Sequence, residues 1–475
     1  MFIKREKNLF FFILGIACFL LVLMIPTTKH FNHQIIYTIA VTLLMLIWWI
    51  SEALPIAMTS LMPICLFPIL GIMDVNEVTQ YYSNKIIYLM LSGFLLGVAL
   101  QKWKLNYRIA LNILSIVGNH PAGVILGFMI STALLSMWVS NTATTIIMTP
   151  VAISFLNIIK KDIGNFASIL MLSIAYSASI GGIGSIIGTP TNAVLVAHIS
   201  SAYNIDISFG KWLILFLPLV SILILVMWIY LGFIKLKKVS LSGISGANFA
   251  KNKLNQLGNM KYEEKAVTII FSLLAFLWII KGYLPATISD GAIGIACCSL
   301  FFIIRAKTHE PSNTENKNDY LLNWSDTKNL PWGILILFGG GMALAKGLEK
   351  SGVVELITVF FHHLGIKNIL LITMFFTIIV ISFTEMMSNM ALITVFAPVL
   401  STISIALTGS PFTLTIPATL AASCAFMLPM ATPPNAIILS SGYITIKNMV
   451  KVGLLANLIA VIIIETVHFC VSIRT

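Results

Sequence analysis

The sequence predicts an all-α polytopic membrane protein, and three observations carry that fold class. Of the 475 residues, 58% are hydrophobic and only 10% are charged, against roughly 25% charged in soluble domains. The mean hydropathy is +0.97. Apolar runs of about 20 residues, the length a helix needs to cross a bilayer, recur from one end of the chain to the other.

In chain order the spans are read at 9–27, 35–51, 55–73, 86–104, 167–200, 212–234, 266–282, 287–304, 332–350, 412–442 and 450–473. The first follows the basic stretch Met1–Lys7. No small-residue cleavage site comes after it, only Pro26-Thr27-Thr28-Lys29, so it reads as a spanning helix and not a cleaved signal. Two further apolar regions, 123–157 and 369–404, are interrupted near the middle. Each fits a long broken helix or a re-entrant hairpin.

Basic residues concentrate on the cytoplasmic side of membrane proteins, and this arbitrates. With the N-terminus in the cytoplasm, eleven spans and two re-entrant hairpins, 21 of the 29 Lys and Arg residues become cytoplasmic. If 123–157 crossed instead, Lys160 and Lys161 would move outside and the basic loop at 236–265 would follow. The first hairpin therefore enters and leaves from the cytoplasm, and the second from outside. The C-terminus is then external. Loops 236–265 and 305–331 read as connectors whose charge sets orientation, with membrane lipid as a secondary contact. No nucleic-acid module is present, so the net charge of +12 is a topological signal. Compact loops and the lack of a transit peptide point to a bacterial inner membrane. The six cysteines are scattered through apolar segments with no metal-ligand spacing and read as small buried hydrophobes.

Within this apolar chain, "SMWVSNTATTIIMTP" (136–150) crowds small hydrogen-bonding groups together. An internal repeat explains it. "SNTATTIIMTPV" (140–151) matches "SNMALITVFAPV" (388–399) at five of twelve positions, and "GTPTNAVLVA" (188–197) pairs with "ATPPNAIILS" (431–440). Each half runs helix, polar hairpin tip, then a helix broken at Thr-Pro. The charge count inverts one half relative to the other. Inverted repeats with broken helices are a secondary-transporter signature. Single Ser, Thr and Gly residues also serve tight helix packing, but four clusters in paired register favour a site. Unwound backbone is tolerated in a bilayer only where it lines a cavity or binds something. Neutral oxygens suit a hard cation such as Na+; hydroxyls, amides and half-helix N-termini suit an anion. The first half of the pocket combines Ser136, Ser140, Asn141, Thr142, Gly188 and Thr189. The second combines Thr384, Ser388, Asn389, Ala431 and Thr432.

These residues resemble the divalent anion/sodium symporter family, carriers of dicarboxylates, citrate or sulfate. The resemblance rests on Ser140-Asn141-Thr142, Ser388-Asn389, Gly188-Thr189-Pro190 and Ala431-Thr432-Pro433-Pro434-Asn435. It extends to "WWISEALPIAMTSLMPICLFPILGI" (48–72) and "PWGILILFGGGMALAKGLEKSG" (331–352), and covers nearly the whole chain. It implies a homodimer working as an elevator-type transporter. The scaffold would take 1–120 and 206–366; the transport domain would take 121–205 and 367–475. It implies two sodium sites, one from Ser136, Ser140, Asn141 and Gly188, the other from Thr384, Met387, Ser388, Asn389 and Ala431. The small anionic substrate would meet Ser140, Asn141, Thr142, Thr189, Ser388, Asn389, Thr432 and Pro433. The family pattern often repeats Ser-Asn-Thr at the second tip, whereas this chain has Met390.

The expected function is sodium-coupled import of a di- or tricarboxylate such as succinate, malate, fumarate or citrate. The alternatives are a sodium-independent dicarboxylate exchanger and a carrier of sulfate or another inorganic oxyanion. No Arg or Lys falls in either tip or either Thr-Pro break, which favours cation symport. The chain does not read as an enzyme. His309-Glu310 is followed by Pro-Ser-Asn and not by the spacing of a metalloprotease, and the motifs hold no Gly-x-Ser-Gly. No output domain or repeated pore marks a sensor or channel.

Among the charges, Glu52 reads as interfacial or paired. Glu385 has two open readings, a functional carboxylate or a brace for the hairpin. Glu465 and His468 read as interhelical or interfacial contacts. Trp48, Trp49, Trp103, Trp212 and Trp332 fall near span ends, as an aromatic belt does. Trp138 reads as packing, and the Lys281 head as reaching the interface.

Overall fold

The computed structural model describes residues 2–28, 31–116, 120–159, 165–236, 246–285, 287–307, 320–356, 359 and 368–472. Lys160, Lys161, Lys237, Lys238, Lys317 and Lys367, used above in the charge count, lie outside the described residues, as do Lys29 and Arg474. The described residues are helical, with an isolated bridge between Arg305 and Tyr320.

Nine helices among them are long and apolar enough to cross a membrane. Seven coincide with expected spans: His33–Ser51, Val75–Lys102, Phe166–Ile183, Phe209–Lys235, Tyr262–Tyr283, Trp332–Ser351 and Ile446–Cys470. The other two, Asn141–Ile159 and Asn389–Thr408, are second arms of the two hairpins. The remaining expected spans are shorter or broken. Segment 55–73 becomes α3 (Ile56–Thr59) and α4 (Met62–Ile69), because Pro63, at the start of α4, lacks the N–H that would continue the helix from α3. Segment 287–304 shortens to Asp290–Ile303, capped by Ser289.

The first half is built on α6 (Lys85–Lys102), α8 (Pro121–Ser136), α9 (Asn141–Ile159), α10 (Phe166–Ile183) and α11 (Pro190–Tyr203). The second is built on α16 (Trp332–Ser351), α17 (Ile369–Thr384), α18 (Asn389–Thr408), α19 (Thr415–Ala422), α20 (Pro433–Ser440) and α21 (Ile446–Ser472). Helix α10 is buried along its entire length. In lipid, apolar surface gives no drive between helices, so close packing must supply it. Gly181 shows how: a Cβ there would lie 2.4 Å from the Ala133 carbonyl oxygen of α8. The halves interlock, since α11 packs on α18 and α20 packs on α9. Each Thr-Pro helix thus lies on the other half's hairpin.

Exposed apolar stripes complete the membrane reading. Helix α12 (Phe209–Ile229) exposes Ile214, Leu215 and Leu225, and α14 (Tyr262–Ile279) exposes Ile269 and Phe276. Such surface is stable only against lipid or another apolar partner.

Two expectations are corrected here. Trp48, Trp49 and Trp212 are buried and do not belong to an aromatic belt; their indole N–H groups donate to the Phe12 carbonyl, Ser60 Oγ and the Ile183 carbonyl at 3.2, 3.1 and 2.9 Å. Buried indoles need such partners. The connector at 236–265 also contains a helix, α13 (Gly246–Leu257), which packs on α7 (Leu105–Leu114) and meets the first hairpin, with Gly246 against Val124 and the Phe249 ring edge-on to Phe155 at 5.3 Å. It is too short and polar to register as a span. Beside it, Arg108 and Glu264 form a largely buried ion pair at 3.0 Å. That arginine therefore ties the loop down, and it also donates to the Gly258 carbonyl at 2.9 Å.

Candidate functional site

Each half folds its polar tip against the break in its own long helix. In the first half α8 ends at Ser136, the chain turns through 137–140, and α9 begins at Asn141. Ser140 Oγ accepts the Ala143 N–H at 3.4 Å, so its hydroxyl serves as an N-cap. Ser136 is fully buried, and its hydroxyl lies 2.6 Å from the Ala178 carbonyl and 2.7 Å from Asn141 Oδ1. Asn141 Oδ1 also faces the carbonyls of Ala178 and Gly188, at 3.0 and 3.3 Å. Turned over, the same amide places its nitrogen there and donates to all three oxygens. A Cβ at Gly188 would meet the carbonyls of Gly182 and Ser136 at 2.6 and 2.9 Å. The Ser136 hydroxyl, the Asn141 amide and four backbone carbonyls therefore converge where α10 breaks.

The second half repeats this geometry. Helix α17 ends at Thr384 and α18 begins at Asn389. The Thr384 hydroxyl donates to Asn389 Oδ1 at 2.6 Å and lies 2.8 Å from the Ala422 carbonyl. Ser388 Oγ caps α18 by accepting the Ala391 N–H at 3.5 Å. Thr384 stands for Ser136, Asn389 for Asn141 and Ala422 for Ala178.

A second duplicated device holds each break open. The Asn192 amide donates to the Gly182 and Ser185 carbonyls at 3.1 and 2.8 Å. The Asn435 amide donates to the Ala425 and Leu428 carbonyls at 3.1 and 3.0 Å. One constant shift in numbering maps the first set onto the second. Both asparagines are fully buried, and each satisfies carbonyls that a continuous helix would have satisfied itself.

The two breaks are joined. Thr189 Oγ1 lies 3.2 Å from Thr191 Oγ1, which lies 2.8 Å from Ser423 Oγ. The Tyr176 hydroxyl of α10 donates to the Phe426 carbonyl at 3.2 Å. Hydroxyls thus connect residues beside Gly188 to residues beside Ala422.

Of the expected site residues, Ser136, Asn141 and Gly188 come together in one oxygen cluster, and Thr384 and Asn389 in another. Thr142 is half-buried at the start of α9. Thr189 and Thr432 are buried immediately before α11 and α20, and Thr432 Oγ1 accepts the Asn435 N–H at 3.4 Å. Ala431 is buried and donates its N–H to the Leu428 carbonyl at 3.2 Å. Pro433 is exposed at the first position of α20. Met387 is half-buried, with its N–H on the Phe383 carbonyl at 3.2 Å and no bond to the Asn389 cluster among the described residues. Met390 reaches a cavity of about 660 Å³ that also touches Asn8, Ser51, Glu52, Pro55 and Pro331.

Sequence reasoning missed Asn192 and Asn435 as builders of the site. Both stood in the aligned motifs as a matched position, two residues after the shared Thr-Pro pair, so the signal was present. The carbonyls of Ala178, Gly182 and Ala422 carry no side-chain signal at all.

With this geometry in place, comparison with known proteins is informative. The family described as "Sodium:sulfate symporter transmembrane region" matches residues 6–471. The sodium-dependent dicarboxylate transporter SdcS of Staphylococcus saprophyticus is 40% identical over 472 residues, covering 96% of this chain and 90% of the relative. SdcS of Staphylococcus aureus strain USA300 is 41% identical over 477 residues, covering 97% and 91%. Among solved structures, the YdaH transporter of Alcanivorax borkumensis matches with a TM-score of 0.57 at 13% identity, over 84% of this chain and 88% of that one. That likeness concerns the fold alone. Sequence match, relatives and architecture agree, and the chain belongs to the sodium:sulfate symporter family.

Proposed function

We propose that this protein is a sodium-coupled symporter that imports dicarboxylates such as succinate, malate or fumarate across the cell membrane. The observation that carries the reading is the duplicated polar cluster: a hydroxyl, an asparagine side-chain amide and a backbone carbonyl at each helix break. Its full-length relatives named as sodium-dependent dicarboxylate transporters support the choice of cation and substrate.

The chemistry follows from charge. Placing a dianion inside a membrane protein costs on the order of several kcal/mol per charge unless it is compensated. Neither tip nor break holds a Lys or Arg. Two sodium ions, one at Ser136, Asn141 and Gly188 and one at Thr384 and Asn389, supply the missing positive charge. Hard cations prefer such oxygen donors. In the first site, Asn141 offers its oxygen to a bound ion and turns its nitrogen toward the carbonyls without one, so cation binding orders the tip. The helix N-termini at Asn141, Pro190, Asn389 and Pro433, with Thr142, Thr189 and Thr432, then face the carboxylates. A loaded site is electrically balanced; a half-loaded one is not. That imbalance is what couples the two fluxes.

In this reading the protein is a homodimer with a cytoplasmic N-terminus in a bacterial inner membrane. Residues 121–205 and 367–475 move as the transport domain against a scaffold of 1–120 and 206–366. The cavity at Met390 is the cytoplasmic approach to the second tip.

The test is uptake of radiolabelled succinate into proteoliposomes under an inward sodium gradient and a matched potassium gradient. Citrate and sulfate serve as competitors. Accumulation driven by sodium alone is expected. Uptake that ignores sodium and requires internal dicarboxylate would replace symport with exchange.

A further inference from the structure

We propose that Glu385 and Asn457 form a positioning clasp that sets sodium affinity at the second cation site. The inference rests on the reading of Thr384, Asn389 and Ala422 as parts of that site. Glu385 follows Thr384 directly and is 4% exposed. Its Oε1 accepts the Phe426 N–H at 2.8 Å, the Met427 N–H at 3.0 Å and the Asn457 amide at 2.7 Å. Its Oε2 accepts the Leu428 N–H at 2.9 Å. Asn457, buried in α21, also accepts the Phe426 N–H at 3.2 Å.

Every one of these contacts is a donor, and three come from consecutive residues of the unwound segment between α19 and α20. Successive backbone N–H groups form a nest for an anion, and here the anion is the protein's own side chain. No Lys or Arg lies within ion-pair distance of it among the described residues. The carboxylate therefore does two things. It fixes the backbone that carries the Ala422 carbonyl, whose other anchor is the hydroxyl of the neighbouring Thr384. It also leaves a formal negative charge, compensated only by dipoles, one residue from a cation ligand.

The first half has no matching carboxylate. The position matching Glu385 is Met137, whose carbonyl accepts the Ser185 hydroxyl and whose N–H donates to the Ala133 carbonyl. Both halves therefore brace the hairpin at matching positions, through Met137–Ser185 and Glu385–Leu428. The second alone does so with a formal charge beside its site, and that charge points to tuning of the site.

The experiment measures succinate uptake as a function of sodium concentration in proteoliposomes of wild type, Glu385→Gln, Asn457→Ala and Glu465→Gln. Glutamine keeps the size of Glu385 but turns one acceptor into an NH2 group facing a backbone N–H. The half-saturating sodium concentration should rise about tenfold in Glu385→Gln and about threefold in Asn457→Ala. The maximal rate at saturating sodium should stay within about threefold of wild type. Glu465, a buried carboxylate that accepts from Thr377 at 2.5 Å away from the site, should leave the sodium dependence unchanged. A lower maximal rate with unchanged half-saturating sodium in Glu385→Gln would reduce the clasp to a structural brace. If that variant does not fold, an unchanged half-saturating sodium in Asn457→Ala overturns the proposal equally. Wild-type uptake indifferent to sodium would instead overturn the symport reading, and the clasp with it.

Discussion

In the first half the break in the long helix is lined with glycines, whereas the second half has larger side chains at the same places. Gly181, Gly182, Gly184 and Gly188 correspond to Cys424, Ala425, Met427 and Ala431. The glycines allow backbone to meet backbone: a Cβ at Gly181 would lie 2.4 Å from the Ala133 carbonyl, and one at Gly182 2.4 Å from Asn141 Oδ1. At the second break a side chain makes the link, with Glu385 accepting the N–H groups of Phe426, Met427 and Leu428. The polarity of the link is reversed as well. In the first half the Ser185 side chain donates to the backbone of Met137; in the second the backbone of Leu428 donates to the side chain of Glu385. What the repeat has kept is the set of atoms that would touch an ion, and the asparagine that satisfies each break. What has diverged is the means of support. Ligand chemistry constrains oxygen positions tightly, while a backbone segment can be fixed in many ways.

The sharpest way to break this comparison is to exchange the small residues at its centre. Gly188→Ala forces a Cβ to within 2.6 Å of the Gly182 carbonyl, and backbone cannot yield as a flexible side chain does. Overpacking of this kind costs about 1–3 kcal/mol, here concentrated on cation ligands. Sodium-driven uptake by Gly188→Ala should fall about 100-fold, with normal expression and a normal gel-filtration profile. Ala431→Gly should stay within about threefold of wild type. Equal sensitivity at both positions would show that the two breaks are not built differently.

The next comparison tests what the halves share. Asn141→Ala and Asn389→Ala each remove one amide oxygen, worth about 1–3 kcal/mol when buried partners are left behind. Both should abolish or severely weaken uptake while leaving expression intact. Near-normal transport in both would remove the proposed sites. Loss in one alone would mean that only that half binds a coupled ion.

The span pattern, the two hairpins and the Thr-Pro breaks were legible because apolar length and inserted proline are local properties of sequence. The pairing of Ser140-Asn141 with Ser388-Asn389 was legible because a repeat leaves matched letters. Trp212 was misread because an indole near a span end fits either a headgroup region or a buried acceptor, and only the fold chooses. Glu385 was left between two readings for a similar reason. Three of its four partners are backbone N–H groups 41 to 43 residues away, and backbone donors carry no side-chain signature; the fourth, the Asn457 amide, lies 72 residues away. The carbonyls of Ala178 and Ala422 were invisible on the same ground.

A smaller effect should separate the halves' connection from their contents. The hydroxyl pair Thr191–Ser423, at 2.8 Å, is the shortest polar link between the two breaks. Ser423→Ala removes a net contribution of about 1 kcal/mol without touching a cation ligand. The half-saturating sodium concentration should move by less than about threefold, while the sodium activation curve becomes less sigmoidal. An unchanged curve shape would show that the two sites communicate through the substrate alone.

The mildest test concerns a tip residue that departs from its counterpart. Thr142 in the first half corresponds to Met390 in the second, a hydroxyl set against a flexible thioether. Met390 is half-buried and borders the cavity that reaches Glu52 and Pro331, so it can change without unpacking a core. Pocket contacts of this size discriminate substrates by about 1–3 kcal/mol. Met390→Thr should therefore shift the ratio of succinate to citrate transport by about three- to tenfold, with expression and sodium dependence near wild type. A thioether offers no hydrogen bond to a carboxylate, so the wild-type pocket holds one end of its substrate more loosely than the other. Restoring the hydroxyl makes the two tips alike and should favour the smaller, symmetric dicarboxylate. An unchanged ranking would place the Met390 side chain outside the substrate's reach, leaving the asymmetry of the two halves to their supports alone.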